Sequence, residues 1–249
     1  MATGKRVKAA DRTLDLFEAF RAAGRPMNLS ELANAMGMPV SSCHVLVATL
    51  ISRGYLCPVG TQRAYYPTRV LFDLARDLLA RDPILGKVSS LLEGLRDKSG
   101  ETVVLAKRLG KHAFYVDVLE SPKTIRFSSE ASVLRSLHSS ALGKALLGRL
   151  PLPERTQMIE SLELERVTAN TISSPRKLLA DVAAGEERGW HMTRGESVDD
   201  VAAVARAVQL GGEDYAVAIA GPLQRMEPMM ERHARLLSAA CARMAEAAT

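Results

Sequence analysis

The sequence has few of the residues that crosslink small secreted domains or bind metals. Among 249 residues there are three cysteines and five histidines. Because Cys43, Cys57 and Cys241 include no close pair, they indicate neither a disulfide framework nor a cysteine zinc site. The histidines also lack the spacing of a metal-binding set. The sequence therefore predicts no metal and no cofactor.

Long apolar runs are missing as well. No stretch approaches the roughly 18 apolar residues that a membrane span requires. Residues 1–12 are polar and basic and lack the apolar core of a signal peptide. We therefore expect a cytoplasmic protein with no membrane partner. Hydrophobic residues still make up 47% of the chain, which is ample for buried cores and argues against disorder.

Excess positive charge is confined to the first third of the chain. Residues 1–81 contain 11 Lys and Arg against 6 Asp and Glu, whereas residues 82–249 contain 22 of each kind. A small basic module joined to a neutral larger one is typical of a nucleic acid-binding domain attached to a second function. Because the excess is modest, an ordinary basic surface is the alternative.

The basic third has the pattern of a helix-turn-helix. A first amphipathic helix is predicted from Asp11 to Ala23, and a short second helix follows the capping residue Asn28 and ends at Gly37. After Met38-Pro39, a third helix is predicted to begin at Ser41 or Ser42 and to end near Arg53. Its buried stripe, at helical spacing, consists of Cys43, Leu46, Val47 and Leu50.

The opposite face of this third helix is the predicted DNA-reading surface, because two short helices joined by a tight turn fit a recognition helix into a major groove. Hydroxyl and imidazole groups there are expected to hydrogen-bond phosphates or base edges, and small apolar groups to contact thymine methyl groups. The candidate residues are Ser41, Ser42, His44, Val45 and Ala48. A plain solvent-exposed face is the alternative.

Two short predicted strands, 54–58 and 63–67, bracket a turn and indicate a wing. Arg63, near the wing tip, is a candidate for phosphate or minor-groove contacts. An N-terminal arm is expected to add further cations, namely Lys5, Arg6, Lys8 and Arg12. Each of these residues is equally compatible with an ordinary surface charge.

A short amphipathic helix, 68–81, is predicted to link this region to the rest of the chain, and Asp82-Pro83 ends it. We place the boundary there, with a DNA-binding domain at 1–81 and a second domain at 82–249. The apolar side of the linking helix must be covered by its own domain or by a second chain. Twofold DNA readers need such a dimer contact. That side consists of Val70, Leu71, Leu74, Leu78 and Leu79.

The last two thirds combine helices and strands, and one mixed sheet with helices on its faces is the simplest assembly. Helices are predicted at 84–98, 141–150, 153–162, 175–188 and 226–247, and strands at 101–109, 113–119, 124–129, 201–208 and 215–221. The candidate binding site is Leu137–Ala145. A helix opens there at Ala141, and its free N–H groups and the positive end of its dipole can hold a carboxylate. A capped helix packed on the sheet is the alternative, and His138 just before it fits either a structural or a ligand role.

Motifs along essentially the whole chain resemble the isocitrate lyase regulator (IclR) family of bacterial transcription regulators. The resemblance rests on Leu29–Ala33 with Gly37-Met38-Pro39, Gly54-Tyr55-Leu56, Gly100–Val103, Leu137–Ala145 and Glu187–Trp190. It implies an α+β protein with an N-terminal winged helix-turn-helix, a linker helix and a C-terminal GAF-like α/β effector-binding domain. It also implies binding to double-stranded operator DNA as a homodimer or homotetramer, and control by small, often carboxylated or aromatic, metabolites.

The same resemblance implies an effector pocket at Ala141, Leu142, Thr193, Val201 and Ala203. Family members often carry an acidic residue at the position of Thr193 and a cysteine at that of Ala203. We therefore expect a roomier, less acidic pocket that accepts an acid bulkier than two or three carbons.

Arg206 stands where family members usually have alanine. If its side chain faces the pocket, it could pair with an anionic effector. A strand residue is equally compatible with the opposite orientation.

An enzyme and a nonspecific architectural DNA-binding protein are the alternative functions. Gly143-Lys144 lacks the upstream glycine and the following Ser or Thr of a phosphate-binding loop, and no Gly-x-Ser-x-Gly occurs. We therefore predict no catalytic residue. An architectural protein would not require a large neutral domain, so the sequence favours a transcription regulator that senses a small molecule.

Overall fold

The computed structural model describes residues 7–60, 63–80, 82 and 84–248. The chain divides into two compact units, Met1–Asp82 and Pro83–Thr249.

The first unit is a winged helix-turn-helix. Its elements are α1 (Lys8–Ala23), β1 (Met27–Asn28), α2 (Leu29–Ala35), α3 (Val40–Ser52), β2 (Leu56–Val59), β3 (Ala64–Pro67) and α4 (Arg69–Ala80). The strands form an antiparallel sheet in the order β1-β3-β2. Strand β1 was not predicted, since two residues are too few to show an alternating pattern.

The turn between α2 and α3 follows from local sequence. Asn28 caps α2: its side-chain oxygen accepts a hydrogen bond from the Glu31 N–H at 3.0 Å, and Glu31 accepts one from the Asn28 N–H at 2.8 Å. Gly37 then adopts a left-handed φ of 57°, which ends the helix at little cost. Within the described residues no single helix is long and apolar enough to cross a membrane, although α2 and α3 pass that test together across a 110° bend.

Two predictions at the starts of helices were wrong. Helix α1 begins at Lys8, so Lys8 and Arg12 lie on a helix and not on an arm, because nothing in residues 8–11 interrupts helical backbone. Lys5 and Arg6 lie outside the described residues. The N-cap of α3 is Pro39 instead of Ser41 or Ser42, since its extended backbone, φ −60° and ψ 140°, suits that position.

The second unit is a six-stranded sheet between two layers of helices. Its elements are α5 (Leu85–Ser99), β4 (Thr102–Leu109), β5 (His112–Leu119), β6 (Leu134–Ser136), α6 (Ala141–Gly148), α7 (Leu152–Glu160), α8 (Pro175–Arg188), β7 (His191–Arg194), β8 (Val201–Leu210), β9 (Glu213–Pro222), α9 (Leu223–Met226) and α10 (Met230–Ala248). The strand order is β6-β5-β4-β9-β8-β7. Every pairing among the described strands is antiparallel, so the expected mixed sheet was wrong.

The two faces of this sheet differ in side-chain size. On β9, the large side chains Tyr215, Val217 and Ile219 pack with α5 and α10. Its alternate residues, Ala216, Ala218 and Ala220, face the layer that contains α6, α7 and α8. Because side chains on a strand alternate between the two faces, one β9 sequence supplies both a bulky face and a shallow one.

Helix α6 lies on the shallow face and packs closely against the connection that precedes it. Ala141, Leu142 and Ala145 of α6 share one core with the β9 alanines. A Cβ built on Gly143 would lie 2.2 Å from the carbonyl oxygen of Leu137, in the β6–α6 connection. Gly143 is therefore required by space and not by backbone conformation.

The strand predicted at 124–129 is not present. Backbone carbonyls in this segment are bound by side chains instead of a neighbouring strand: Thr102 Oγ1 donates to the Phe127 oxygen, and Arg225 donates to the Ile125 oxygen at 2.9 Å. Two short strands, β6 and β7, form where none was predicted. The single predicted last helix is divided by a short 3₁₀ turn, Glu227–Met229, that contains a proline.

Substitution of Gly143 by alanine tests the close approach of α6. We expect Gly143→Ala to lower the free energy of unfolding by about 1–3 kcal/mol or more, because the Leu137 backbone cannot move aside freely. Gly94→Ala is the matched control: it also lies within a helix, and its added Cβ meets no described atom within 4 Å. It should stabilise by about 0.5–1 kcal/mol. Equal urea denaturation midpoints for the two variants would contradict this account.

Candidate DNA-binding surface and candidate effector pocket

Helix α3 separates cleanly into a buried stripe and an exposed face. Cys43, Val47 and Leu50 are buried in the core of the first unit, and Leu46 packs against that core while partly exposed. The predicted stripe is therefore confirmed. Ile51 also packs against this core. Most of the remaining helix surface is exposed.

The predicted reading residues share that open surface. Ser41, His44, Val45 and Ala48 are exposed, and Ser42 is half-buried. Val45 is the most unusual member, since 65% of this large apolar residue is exposed. An exposed apolar group among hydroxyl and imidazole groups suits a surface that meets both polar base edges and thymine methyl groups.

Two further residues on or beside α3 were not singled out from the sequence. Thr49 is exposed one turn after Val45, and its hydroxyl donates to the Val45 carbonyl at 2.8 Å. Arg53 follows the last residue of α3, is exposed, and lies with its guanidinium 5.8 Å from the centre of the Tyr55 ring. Helical spacing from Val45, and position at the helix end, were the signals that could have found them.

Arg63, the cation predicted near the wing tip, lies between β2 and β3. Arg63 is exposed and has a left-handed φ of 50° just before β3. Arg12 is exposed on α1.

In the second unit, all five residues assigned to the pocket by resemblance line one cavity. They come from the start of α6 (Ala141 and Leu142), from β7 (Thr193) and from β8 (Val201 and Ala203). Ser140, within the candidate segment Leu137–Ala145, also lines the cavity. The lining residues that were not predicted are Val104, Tyr115, Phe127, Ser197, Ala218 and Ala220. Strand pairing explains the grouping, because residues distant in sequence become neighbours across the sheet.

The register of the sheet places three of these residues side by side. Thr193 on β7 pairs with Ala203 on β8, which pairs in turn with Ala220 on β9. On the other side of β9, Ala218 pairs with Val104 on β4. The floor of the cavity is therefore a patch of small side chains on four adjacent strands.

The start of α6 forms the opposite wall. Ser140 is its N-cap: the hydroxyl donates to the Ser136 carbonyl at 2.8 Å and accepts from the Gly143 N–H at 3.1 Å. The first N–H groups of a helix have no carbonyl partner within the helix. Those of the cavity-lining Ala141 and Leu142 can therefore serve an anionic ligand, with support from the helix dipole.

The cavity is small and its wall is uncharged. The described lining residues include no Asp, Glu, Lys or Arg, as expected for a less acidic pocket. Its volume of about 30 Å³ does not meet the expectation of a roomy one, since bulky Tyr115 and Phe127 also line it. Burial raises the pKa of Tyr115, although the Arg135 guanidinium opposes this shift. The phenol therefore stays neutral and is a hydrogen-bond donor at neutral pH.

A buried charge cluster holds α6 in place. Lys144 Nζ is fully buried and lies 2.8 Å from Asp181 on α8 and 2.8 Å from Glu196 in the β7–β8 connection. Burial raises the pKa of Glu196, and the nearby Lys144 ammonium opposes that shift. The sequence drew attention to Lys144 only as a failed phosphate-loop residue. Its partners lie 37 and 52 residues away in the chain, which is why no local pattern revealed them.

Two predicted alternatives are resolved by hydrogen bonds. Arg206 donates to the Gly189 carbonyl at 3.1 Å and to Ser238 Oγ at 3.0 Å, on the α10 side of the sheet. Of the two orientations left open for Arg206, the side chain takes the one away from the cavity, because strand alternation directs it to the other face of the sheet. His138 is buried, and its Nε2 pairs with the Glu165 carbonyl at 2.9 Å, which is a structural role.

Comparison with known proteins matches each of the two units to a domain of the same protein family. The family described as "Bacterial transcriptional regulator IclR C-terminal" matches residues 77–246. The chain belongs to the IclR family. The "IclR helix-turn-helix domain" matches residues 9–58, which include α2 and α3. The protein is therefore a DNA-binding transcription regulator.

Individual relatives are distant but cover most of the chain. The HTH-type transcriptional regulator BhcR of Paracoccus denitrificans is 27% identical over 222 residues, or 88% of this chain and 79% of the relative. The crystal structure of Thermotoga maritima IclR has a TM-score of 0.84 at 22% identity and covers 97% of this chain and 98% of its own. An IclR homologue from Microbacterium hydrocarbonoxydans, complexed with 4-hydroxybenzoate, has a TM-score of 0.76 at 18% identity, with coverage of 96% and 98%. At these identities the two structures establish a shared fold.

Proposed function

We propose that this IclR-family regulator binds double-stranded operator DNA through the exposed face of α3 and is controlled by a small carboxylate held at the start of α6. It acts by binding and not by catalysis. Because its proposed partner is genomic DNA, we also place it in the cytoplasm. The observation that carries the effector part is that Ala141, Leu142, Thr193, Val201 and Ala203 line one uncharged cavity.

The DNA-binding part is supported by the chemistry that α3 presents. Its exposed face combines hydroxyl, imidazole and apolar groups: Ser41, Ser42, His44, Val45 and Ala48. Little charge lies on this face, so phosphate attraction is assigned to nearby cations, Arg63 at the wing and Arg12 on α1. The helix thus reads base edges and methyl groups, while the cations strengthen binding without selecting sequence.

Introduction of a negative charge at Val45 tests this surface. We expect Val45→Glu to weaken binding to DNA upstream of its own gene by about tenfold or more, because a carboxylate would replace an apolar contact beside phosphates. Val167→Glu is the matched control, since Val167 is 50% exposed in the second unit. Mobility shift of both variants against wild type is the measurement. Retention of wild-type affinity by Val45→Glu would remove α3 from the proposed interface.

The carboxylate class is supported by where the cavity places its polar groups. Backbone N–H groups of a helix N-terminus favour an anion, while the surrounding alanines and valines accept an apolar body. Thr193 and Tyr115 add hydroxyl groups to the residues that line the wall. The complex of the Microbacterium homologue with 4-hydroxybenzoate makes an aromatic acid a reasonable first ligand.

Addition of a negative charge to the cavity tests the carboxylate. We expect Thr193→Asp to weaken binding of 4-hydroxybenzoate by about tenfold or more in a calorimetric titration, because like charges would meet in a poorly hydrated space. Ser173→Asp adds the same charge at an exposed position outside the cavity and should leave binding unchanged. Tighter binding of the acid by Thr193→Asp would rule out this orientation of the ligand.

We further propose that the protein is a homodimer or a homotetramer with an interface on α4. Val70, Leu74 and Leu78 recur every four residues along α4 and are exposed, so they form a stripe on one side of the helix. A helix with such a stripe is stabilised when a second apolar surface covers it. A twofold partner also supplies the second recognition helix that paired half-sites require.

Charge on the α4 stripe tests this interface. We expect Leu78→Glu to shift the sedimentation coefficient toward that of the monomer at micromolar concentration, because the exposed side chain would lose an apolar partner surface. Leu152→Glu is the matched control: Leu152 is 63% exposed and Leu78 is 65% exposed. If wild type is an oligomer and both variants have its sedimentation coefficient, the interface lies elsewhere.

A further inference from the structure

The connection between β5 and β6, residues 120–133, reaches the cavity through Phe127. Its far end is held by backbone pairing with β5, where the Ser132 N–H donates to the Tyr115 carbonyl at 2.7 Å. The first half of the segment is held differently. Side chains from Gly100-Glu101-Thr102-Val103, a motif that the proposed function leaves without a role, bind its backbone and its one lysine.

Thr102 makes the first of these contacts. This residue is fully buried, and its hydroxyl donates to the carbonyl of Phe127 while it accepts from the N–H of Ser121 at 3.1 Å. A single side chain thus binds both ends of residues 121–127. Loss of the hydroxyl would leave two backbone groups without their partner.

Glu101 makes the second contact with this segment. Its carboxylate is 1% exposed and lies 2.9 Å from Lys123 Nζ. Arg225 on α9 binds both Glu101 oxygens and also donates to the Ile125 carbonyl at 2.9 Å. Burial by itself would raise the pKa of Glu101, but its bonds to Arg225 and Lys123 outweigh burial and hold that pKa below its usual value. The Glu101 carboxylate is therefore charged at neutral pH.

The small volume of the cavity makes the contacts that hold residues 121–127 relevant to ligand binding. About 30 Å³ is free, which is room for roughly one or two water molecules, and binding sites for small molecules usually have volumes of roughly 300 Å³ or more. A ligand must therefore displace part of the wall. Among the described lining residues, Phe127 is the one bulky side chain that belongs neither to the sheet nor to α6.

We propose that Phe127 must move for a ligand to bind and so determines which ligands the cavity accepts. Glu101 and Thr102 are positioning residues whose bonds to residues 121–127 hold Phe127 in the closed position, and we call these bonds the latch. This inference rests on the proposed function, since it assumes that the cavity takes a small carboxylate. A latched wall lowers apparent affinity in proportion to the fraction of molecules in which it is open. Ligands small enough to need little displacement would be less affected than bulky ones.

Removal of the Phe127 ring tests the wall. We expect Phe127→Ala to raise the affinity for 4-hydroxybenzoate relative to acetate by about tenfold or more, measured by calorimetry. Ile125→Ala is the matched control: Ile125 lies on the same segment, is 72% exposed and does not line the cavity, so its ratio should equal that of wild type. An unchanged ratio for Phe127→Ala, or the same change in both variants, would overturn the proposal.

Hydrogen exchange of the protein without any acid tests the latch separately. We expect Thr102→Val and the milder surface change Lys123→Met to speed exchange of the amides in residues 121–127 by about fivefold relative to those of β8. Thr156→Val should not, because the Thr156 hydroxyl binds within its own helix. If neither Thr102→Val nor Lys123→Met speeds exchange selectively in residues 121–127, the proposed latch is wrong, whichever ligand binds.

If exchange in residues 121–127 does become faster but no variant binds 4-hydroxybenzoate or acetate, the latch is supported and the assignment of a carboxylate ligand is wrong.

Discussion

The structure of the second unit depends on a difference in side-chain size between the two faces of its sheet. Large residues on one face fill the space under α5 and α10, and alanines on the other pack with Ala141, Leu142 and Ala145 of α6. The start of α6 therefore shares a cavity with Thr193 and Ala203. The binding site is thus a consequence of packing.

Buried charge maintains the same arrangement. Lys144 ties α6 to α8 and to the β7–β8 connection, and Glu101 ties β4 to α9 and to the segment that carries Phe127. A buried ion pair adds little net stability over apolar packing, but loss of one partner is costly. Such pairs therefore suit positions where geometry must be unique. Lys144 lies on α6 two residues after the lining residue Leu142, and Glu101 contacts Lys123 on the segment that carries Phe127.

Sequence reasoning was most successful where structure is local. The capped α2, the left-handed Gly37 and the buried stripe of α3 all follow from a few neighbouring residues, and each was predicted. It failed where long-range contacts decide. The segment at 124–129 has the composition of a strand but is bound by Thr102 and Arg225, and β7 was missed because four residues show too little pattern. The five pocket positions came from family likeness, whereas Tyr115 and Phe127 emerged only from the folded chain.

The alanine floor also has an evolutionary consequence. Ala203, Ala218 and Ala220 are already nearly the smallest side chains available, so substitution there can shrink the cavity but can barely enlarge it. The start of α6 is equally constrained, because Gly143 leaves no space for a larger residue. A related regulator that acquires a bulkier signal can instead gain space from residues 121–127, whose backbone is bound by side chains and not by a neighbouring strand.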